Sequence, residues 1–169
     1  IKSYILYKDI DLDFVYFYAD QLPNKVGFDF SANIETNFEI HGEYSRNDEG
    51  YYSTLLGLKY LTTNDLTITS EYYYQNETQD NTTPFWDRKY LLNKFSQKEP
   101  LDILYFSLYY KNSLNISDNS HQNNLGFIYT GVRNLDIDFS IGKYYGDKNS
   151  EFGSKLIDKF SWLQIKYSF

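Results

Sequence analysis

The stretch of sequence that decides the fold is residues 157–169, IDKFSWLQIKYSF. From Leu163 onward its apolar and polar residues alternate strictly. Successive side chains of a β-strand point to opposite faces, so this alternation predicts a strand with one apolar face and one polar face. The first face holds Ile157, Lys159, Ser161, Leu163, Ile165, Tyr167 and Phe169, and the second holds Asp158, Gln164, Lys166 and Ser168.

The same period of two residues recurs along the whole chain, in short segments separated by turn residues. It predicts strands at residues 12–19, 26–34, 38–44, 52–61, 66–74, 125–132 and 135–145. Segments 4–8 and 101–111 are also expected to be strands, although the second is apolar on both faces and cannot be phased. Segment 88–95 is interpreted as a strand that begins near Trp86, with a short helix as the alternative. The total is about eleven strands, and no sustained period near 3.6 residues indicates a helix.

The connections between these segments alternate in length. Short turns are expected near residues 35–37, 62–65 and 133–134, and longer polar loops near residues 21–25, 46–50, 76–87, 112–123 and 146–155. Bacterial outer-membrane barrels have short periplasmic turns and longer outside loops. We therefore predict an all-β fold, an antiparallel transmembrane β-barrel, with residues 1–169 as one domain.

The strand count and the first residues both predict a missing N-terminal part. Bacterial single-chain barrels have an even number of strands, so about eleven indicates a barrel of 12 or more with this chain as its C-terminal portion. The chain begins Ile1-Lys2-Ser3, without an initiator Met or a signal peptide, which agrees with this expectation.

Composition agrees with a barrel and excludes other classes. Cys and Met are absent, so thiol chemistry and disulfides are excluded. The net charge of −7 argues against nucleic acid as a partner. The 19 Tyr and 13 Phe include consecutive tyrosines near 51–52, 72–74, 109–110 and 144–145. Tyr suits the membrane–water interface, so these positions predict aromatic girdles, and stacking on sugar rings is the alternative.

Four stretches resemble a group of outer-membrane barrel proteins of Gram-negative bacteria, in the same order and spacing, with a looser similarity to alginate-export barrels. They are residues 26–42 (VGFDFSANIETNFEIHG), 55–74 (LLGLKYLTTNDLTITSEYYY), 95–105 (FSQKEPLDILY) and 129–153 (YTGVRNLDIDFSIGKYYGDKNSEFG). The terminal Phe and its alternate apolar neighbours resemble the signal that the barrel-insertion machinery recognises: Leu163, Ile165, Tyr167 and Phe169. The resemblance implies a porin-like protein in contact with outer-membrane lipid, and it transfers no functional residue.

The phase of the strands places mostly acidic side chains on the face opposite the apolar one. These lumen candidates are Asp13, Asp29, Glu39, His41, Glu43, Lys59, Glu71, Asp136 and Asp138. We expect a lining that is polar because water fills the pore, and a bias toward cations is the alternative, since carboxylates along a water-filled pore favour cations.

Metal binding and catalysis are not expected. Glu39, His41 and Glu43 share one face, but alternate residues of a strand lie about 6–7 Å apart, too far for one metal ion. A barrel lipase would need a Ser–His pair on the outer face. His41 is predicted to point inward and His121 to lie in a loop, so we expect no catalytic residues, no metal and no cofactor.

The sequence therefore predicts a passive outer-membrane channel for small hydrophilic solutes or ions. Two other classes remain. One is a scaffold barrel that anchors a partner or an export complex, and the other is a soluble lipocalin-like binder, whose faces would be reversed. The sequence leaves open whether the protein is a homo-oligomer or part of an envelope complex.

Overall fold

The computed structural model describes residues 1–76 and 88–168 of the chain. These residues form a single eleven-stranded antiparallel sheet in which each strand lies beside its sequence neighbours. The prediction of an all-β antiparallel fold with about eleven strands is thereby confirmed. The strands are β1 Lys2–Tyr7, β2 Ile10–Ala19, β3 Leu22–Glu35, β4 Phe38–Asn47, β5 Tyr52–Leu61, β6 Leu66–Gln75, β7 Arg88–Lys98, β8 Phe106–Asn115, β9 His121–Val132, β10 Leu135–Tyr145 and β11 Lys159–Tyr167.

Helical structure is minimal. A short 3-10 helix, Pro100–Asp102, lies between β7 and β8. Within residues 1–76 and 88–168, no helix is both long enough and apolar enough to cross a membrane.

The chain divides into two compact units. The first unit comprises Ile1–Tyr60 and Ser70–Tyr90, and the second comprises Leu61–Thr69 and Leu91–Phe169. In the first unit, the register places apolar residues side by side on one face, such as Phe14 beside Phe28 and Phe28 beside Tyr44. The neighbouring row, on the opposite face, consists of Asp13, Asp29 and Glu43.

The second unit repeats this division of faces in β8 to β11. One apolar row crosses all four strands and consists of Leu108, Phe127, Phe139 and Leu163. The opposite row consists of Tyr109, Gly126, Ser140 and Trp162. These two kinds of row define the apolar face and the polar face of each unit.

This register phases the segment that the sequence left unphased. Leu108 belongs to the apolar face, so Tyr109 lies on the polar face and Tyr110, paired with Leu125, on the apolar face. The expected start of this strand at residue 101 is wrong, because β8 begins at Phe106. Pro100 lacks a donor for a ladder, and Leu101 and Tyr105 have positive φ, so the chain turns here.

Two expected loops are also wrong. Residues 21–25 fall mostly in β3, which starts at Leu22, and the loop expected at 112–123 shrinks to residues 116–120. In both places polar residues extend the ladder, as in the pairs Lys25–Asn47 and Asn112–Asn123. Asn and Lys are poor strand formers, so composition alone indicated loops where tertiary pairing decides otherwise.

Segment 88–95 is a strand, as expected, since β7 covers Arg88–Lys98. Its expected start near Trp86, and nearly all of the loop expected at 76–87, lie outside the described residues.

The apolar side chains do not assemble into a core. Among the residues that the structure describes, the buried hydrophobic ones are Tyr109 and Phe152. Leu56, Leu163 and Ile165 on the apolar faces are 56, 60 and 62 % exposed. The sheet therefore leaves its apolar faces uncovered.

Candidate functional site: the polar face

The lumen candidates all lie on the polar face of their unit. In the first unit they belong to β2 to β6, and in the second unit to β10. Most are half-buried, whereas Glu43, Lys59 and Asp136 are exposed. The first-unit residues are Asp13, Asp29, Glu39, His41, Glu43, Lys59 and Glu71, and the second-unit residues are Asp136 and Asp138.

His41 joins three strands of the first unit through charged neighbours. Its Nε2 lies 3.2 Å from Glu71 Oε1, and its Nδ1 lies 3.6 Å from Glu39 Oε1. Lys59 Nζ donates to the second oxygen of Glu39 at 3.0 Å. The side chains of His41, Glu39 and Glu71 are 21, 26 and 29 % exposed, so this ion-pair cluster is less accessible than the apolar side chains opposite.

Gly57 makes this arrangement of His41 possible. Gly57 is directly paired with His41, and a Cβ at Gly57 would overlap the imidazole ring. The ring therefore lies across β5 and reaches Glu71 on β6. The sequence contains the glycine, but only the strand register shows what it accommodates.

A row of carboxylates crosses the same face beside this cluster. Asp13, Asp29 and Glu43 are direct cross-strand neighbours, and Lys2 Nζ lies 3.1 Å from Asp13 Oδ2. Among the described residues, Asp29 and Glu43 have no ion-pair partner. They line a cavity of about 180 Å³ together with Ser45, Ser53 and Tyr73.

The polar face of the second unit is built differently. Tyr109 is only 4 % exposed, and its hydroxyl donates to Asp138 Oδ1 at 2.7 Å. Its ring occupies the space left by Gly126, and Lys111 Nζ lies 4.6 Å from the ring centroid. Asp136 is paired directly with Lys166, so its charge has a basic neighbour on β11.

The connection between β10 and β11, residues 146–158, packs on this end of the second unit. Phe152 is buried and stacks on Tyr144 at a centroid distance of 6.0 Å and an angle of 8°. Tyr144 also contacts Phe160, at 4.9 Å. Because Tyr144 and Phe160 both lie on the polar face, the connection adds aromatic surface to that face.

Hydrogen bonds hold this connection to the end of β8 and to residues 116–120. Asn115 Nδ2 donates to Glu151 Oε2 at 2.8 Å, and the Glu151 amide donates to Asp118 Oδ2 at 2.7 Å. The Ser120 amide donates to the other oxygen of Asp118 in an Asx turn. Burial raises the pKa of Asp118, but hydrogen bonds from Ser120 and Glu151 outweigh it and hold the pKa below its usual value.

The tyrosine pairs divide between the two faces. Tyr44, Tyr52 and Tyr74 form a series on the apolar face, with centroid distances of 6.3 and 5.6 Å. Tyr73 lies on the polar face and contacts Tyr90 at 6.3 Å. The runs 72–74, 109–110 and 144–145 thus place aromatic rings on both faces, because neighbours in a strand point in opposite directions.

Sequence reasoning missed two features of the site and misplaced one residue. It assigned the consecutive Tyr109-Tyr110 pair to a girdle and did not single out Lys111, although one ring of the pair had to lie on the polar face. His121 was expected in a loop, which is wrong. It is the first residue of β9, and its ring stacks on Tyr145 at a centroid distance of 4.7 Å. The two rings meet because Tyr145 and His121 are directly paired across β10 and β9, and the local sequence does not reveal this pairing.

Three residues of the expected insertion signal lie on the apolar face of β11. Leu163, Ile165 and Tyr167 are 60, 62 and 57 % exposed. Their partners in β10 are Phe139, Ile137 and Leu135. The fourth residue, Phe169, lies outside the described residues.

No group of three or more His, Asp or Glu side chains within the described ranges is placed to hold a metal ion. The chain matches no known protein family, no curated protein and no solved structure. The relation to Gram-negative outer-membrane barrels therefore stays a prediction that depends on the four sequence stretches that resemble them.

Proposed function

We propose that this chain is part of an outer-membrane β-barrel channel for the passive transport of small hydrophilic solutes, with a bias toward cations. One observation carries the proposal: in both units large side chains of the apolar face are exposed, while several side chains of the polar face are buried or half-buried, although Trp162 on the polar face is itself 59 % exposed. In the first unit Leu56 is 56 % exposed, whereas the side chain of Glu39 is 26 % exposed. In the second unit Leu163 is 60 % exposed and Tyr109 is 4 % exposed.

This inverted pattern supports lipid as the surroundings of the apolar face. Soluble monomers rarely expose contiguous apolar patches of more than a few hundred Å². Acyl chains would cover the apolar face, and water would fill the space along the polar face. A lipocalin-like binder has the opposite polarity and is disfavoured for this reason.

Closure of the sheet is part of the proposal. An open strand edge in lipid would leave unpaired backbone groups, each costing several kcal/mol. Even strand numbers are the rule in bacterial barrels, so a barrel containing this eleven-stranded sheet has 12 or more strands.

The cation bias is argued from the carboxylate row. Directly opposed residues of antiparallel strands have Cβ atoms about 4.5–5.5 Å apart, which places Asp29 and Glu43 close together. Neither has an ion-pair partner among the described residues, so the pair would raise the local cation concentration in a pore.

The test is conductance of the full protein in a planar lipid bilayer, with the reversal potential measured under a salt gradient. Stable open steps with a cation-selective reversal potential are expected. The variant Asp29→Asn with Glu43→Gln should shift the reversal potential toward zero, the value for a pore without ion selectivity. A matched control, Asp20→Asn with Glu49→Gln, removes the same charge from the β2–β3 and β4–β5 connections and should change it less.

These two carboxylates are better targets than Asp138, because Asp138 accepts the Tyr109 hydrogen bond and its substitution would also disturb packing. Open steps without cation selectivity would contradict the charge argument. Absence of steps from folded, heat-modifiable protein would contradict the channel.

A second candidate function, a plugged scaffold barrel, is favoured by the connection between β10 and β11. Buried Phe152, stacked on Tyr144, adds one ring to the polar face of the second unit, which would narrow a pore. A folded but non-conducting protein that co-purifies with an envelope complex would support this function.

A further inference from the structure

Two lysines lie directly opposite each other on the apolar face of the second unit. Lys143 on β10 is paired with Lys159 on β11, in the row next to Ile141 and Ser161. Directly opposed like charges destabilise a sheet. Among the described residues neither lysine has a carboxylate within ion-pair distance, so the pair lacks a counter-charge.

An apolar groove lies beside the two lysines. It has a volume of about 590 Å³. Tyr110, Leu125 and Ile141 supply apolar lining from the same face, and Lys143, Lys159 and Asn123 also line the groove. The groove thus brings two ammonium groups next to apolar side chains, which is the combination that a lipid with an anionic headgroup would meet.

Neighbouring contacts order the polar side chains at the groove. The Tyr110 hydroxyl and Asn112 Nδ2 both donate to Asn123 Oδ1, at 2.8 and 2.7 Å. Lys143 Nζ lies 4.5 Å from the centroid of the Tyr145 ring. This contact holds the ammonium group on the apolar face, since lysine stems pack along rings while the charged end stays accessible.

We propose that Lys143 and Lys159 bind the phosphate of a membrane lipid whose acyl chain lies along Leu125 and Ile141. The headgroup supplies the missing negative charge, and the groove receives the chain. The inference depends on the membrane placement proposed above, because only a lipid-facing surface meets such a ligand. It does not depend on conductance.

The experiment is native mass spectrometry of the full protein, released from a neutral detergent with added phosphatidylglycerol or diacylglycerol. The wild-type protein should retain phosphatidylglycerol in preference to diacylglycerol. Near a membrane surface each basic residue contributes about 1 kcal/mol, so Lys143→Gln with Lys159→Gln should weaken retention about thirtyfold. The control is Lys148→Gln with Lys155→Gln, which removes two charges from the β10–β11 connection and should retain the lipid like the wild type.

A further arm separates the lipid from free phosphate. Leu125→Ser should weaken retention of phosphatidylglycerol, and inorganic phosphate at equal concentration should not displace the lipid. Equal retention of both lipids, an unaffected double variant, or complete displacement by inorganic phosphate would each overturn the inference.

The outcome is separable from that of the proposed function. Protein that does not insert into lipid, judged by the absence of a heat-modifiable folded form, overturns both proposals. Protein that inserts and conducts but shows no preference for the anionic lipid overturns the lipid site alone.

Discussion

The polar faces of the two units share one sequence pattern but have different chemistry. In the first unit, the face carries an ion-pair cluster of Glu39, His41, Lys59 and Glu71 beside a row of carboxylates. In the second, buried Tyr109 donates to Asp138, and one ring of the β10–β11 connection, Phe152, stacks on Tyr144 of that face.

The comparison indicates that the first unit's polar face contributes mainly charge, and the second unit's polar face mainly stability. Exposed ion pairs are typically worth less than about 1 kcal/mol each, because water and salt screen them. A buried hydrogen bond in a packed setting contributes more, since its loss leaves a polar group without a partner. We therefore expect substitutions in the first unit to alter selectivity and those in the second to alter stability.

The largest effect is expected from Gly126→Ala in the second unit. The new Cβ would meet the Tyr109 ring and lie 2.7 Å from the Phe139 carbonyl oxygen, which cannot move aside. Overpacking and the displaced Tyr109 hydrogen bond should together cost about 2–4 kcal/mol, measured by urea unfolding from lipid vesicles. At Gly57 the three atoms nearest a new Cβ all belong to the His41 ring, so Gly57→Ala should cost less. If Gly57→Ala lost as much free energy of unfolding as Gly126→Ala, or more, the proposed difference in stability between the two units would be wrong.

Next in size is the effect of Tyr109→Phe. It removes the donor to Asp138 without changing the packed ring, so the free energy of unfolding should fall by about 1–2 kcal/mol. The matched control is Tyr110→Phe. The Tyr110 hydroxyl donates to Asn123 on the exposed apolar face, so its loss should matter less. Equal unfolding midpoints for the two variants would show that burial of Tyr109 has no energetic consequence.

A smaller change in stability, but a clear change in selectivity, is expected from Lys59→Gln. Its side chain is 49 % exposed, so breaking its pair with Glu39 should cost less than about 1 kcal/mol. In the proposed channel, the reversal potential should move toward greater cation preference. Glu39→Gln should move it the other way, and shifts of the same sign would contradict an electrostatic role for this cluster.

The smallest effect on stability at neutral pH is expected from the substitution Asp118→Asn. Its pKa is depressed in the folded state, so its stabilising contribution is present above the unfolded value of about 3.9 and disappears as pH falls through the folded pKa. The amide chemical shifts of Ser120 and Glu151 should titrate with a midpoint below the usual Asp range. Asp118→Asn should abolish that titration, and a midpoint at or above the usual range would contradict the hydrogen-bonded geometry.

Several particular residues show what local sequence could predict. The two-residue period placed Leu125, Phe127 and Tyr129 on one face, and the register pairs all three with apolar residues of β10. It could not place segment 101–111, because apolar residues on both faces carry no phase. Pairing with β9 supplied that phase and put Tyr109 on the polar face.

Site geometry depended still more on the register. The sequence indicated that Glu39 and His41 share a face, but their contacts with Lys59 and Glu71 come from strands β5 and β6. Likewise, the opposed lysines Lys143 and Lys159 are sixteen positions apart and meet only because β10 and β11 pair at that register.

The sequence by itself determined that the fold is all-β, the faces of the strands that alternate, and the acidic character of the polar face, because each of these depends on alternation along one strand. Only the tertiary structure decided which side chains meet across strands, where polar residues extend the ladder, and that the β10–β11 connection packs through Phe152. Those outcomes depend on backbone pairing between distant segments, and a shift of one residue would turn every side chain to the other face.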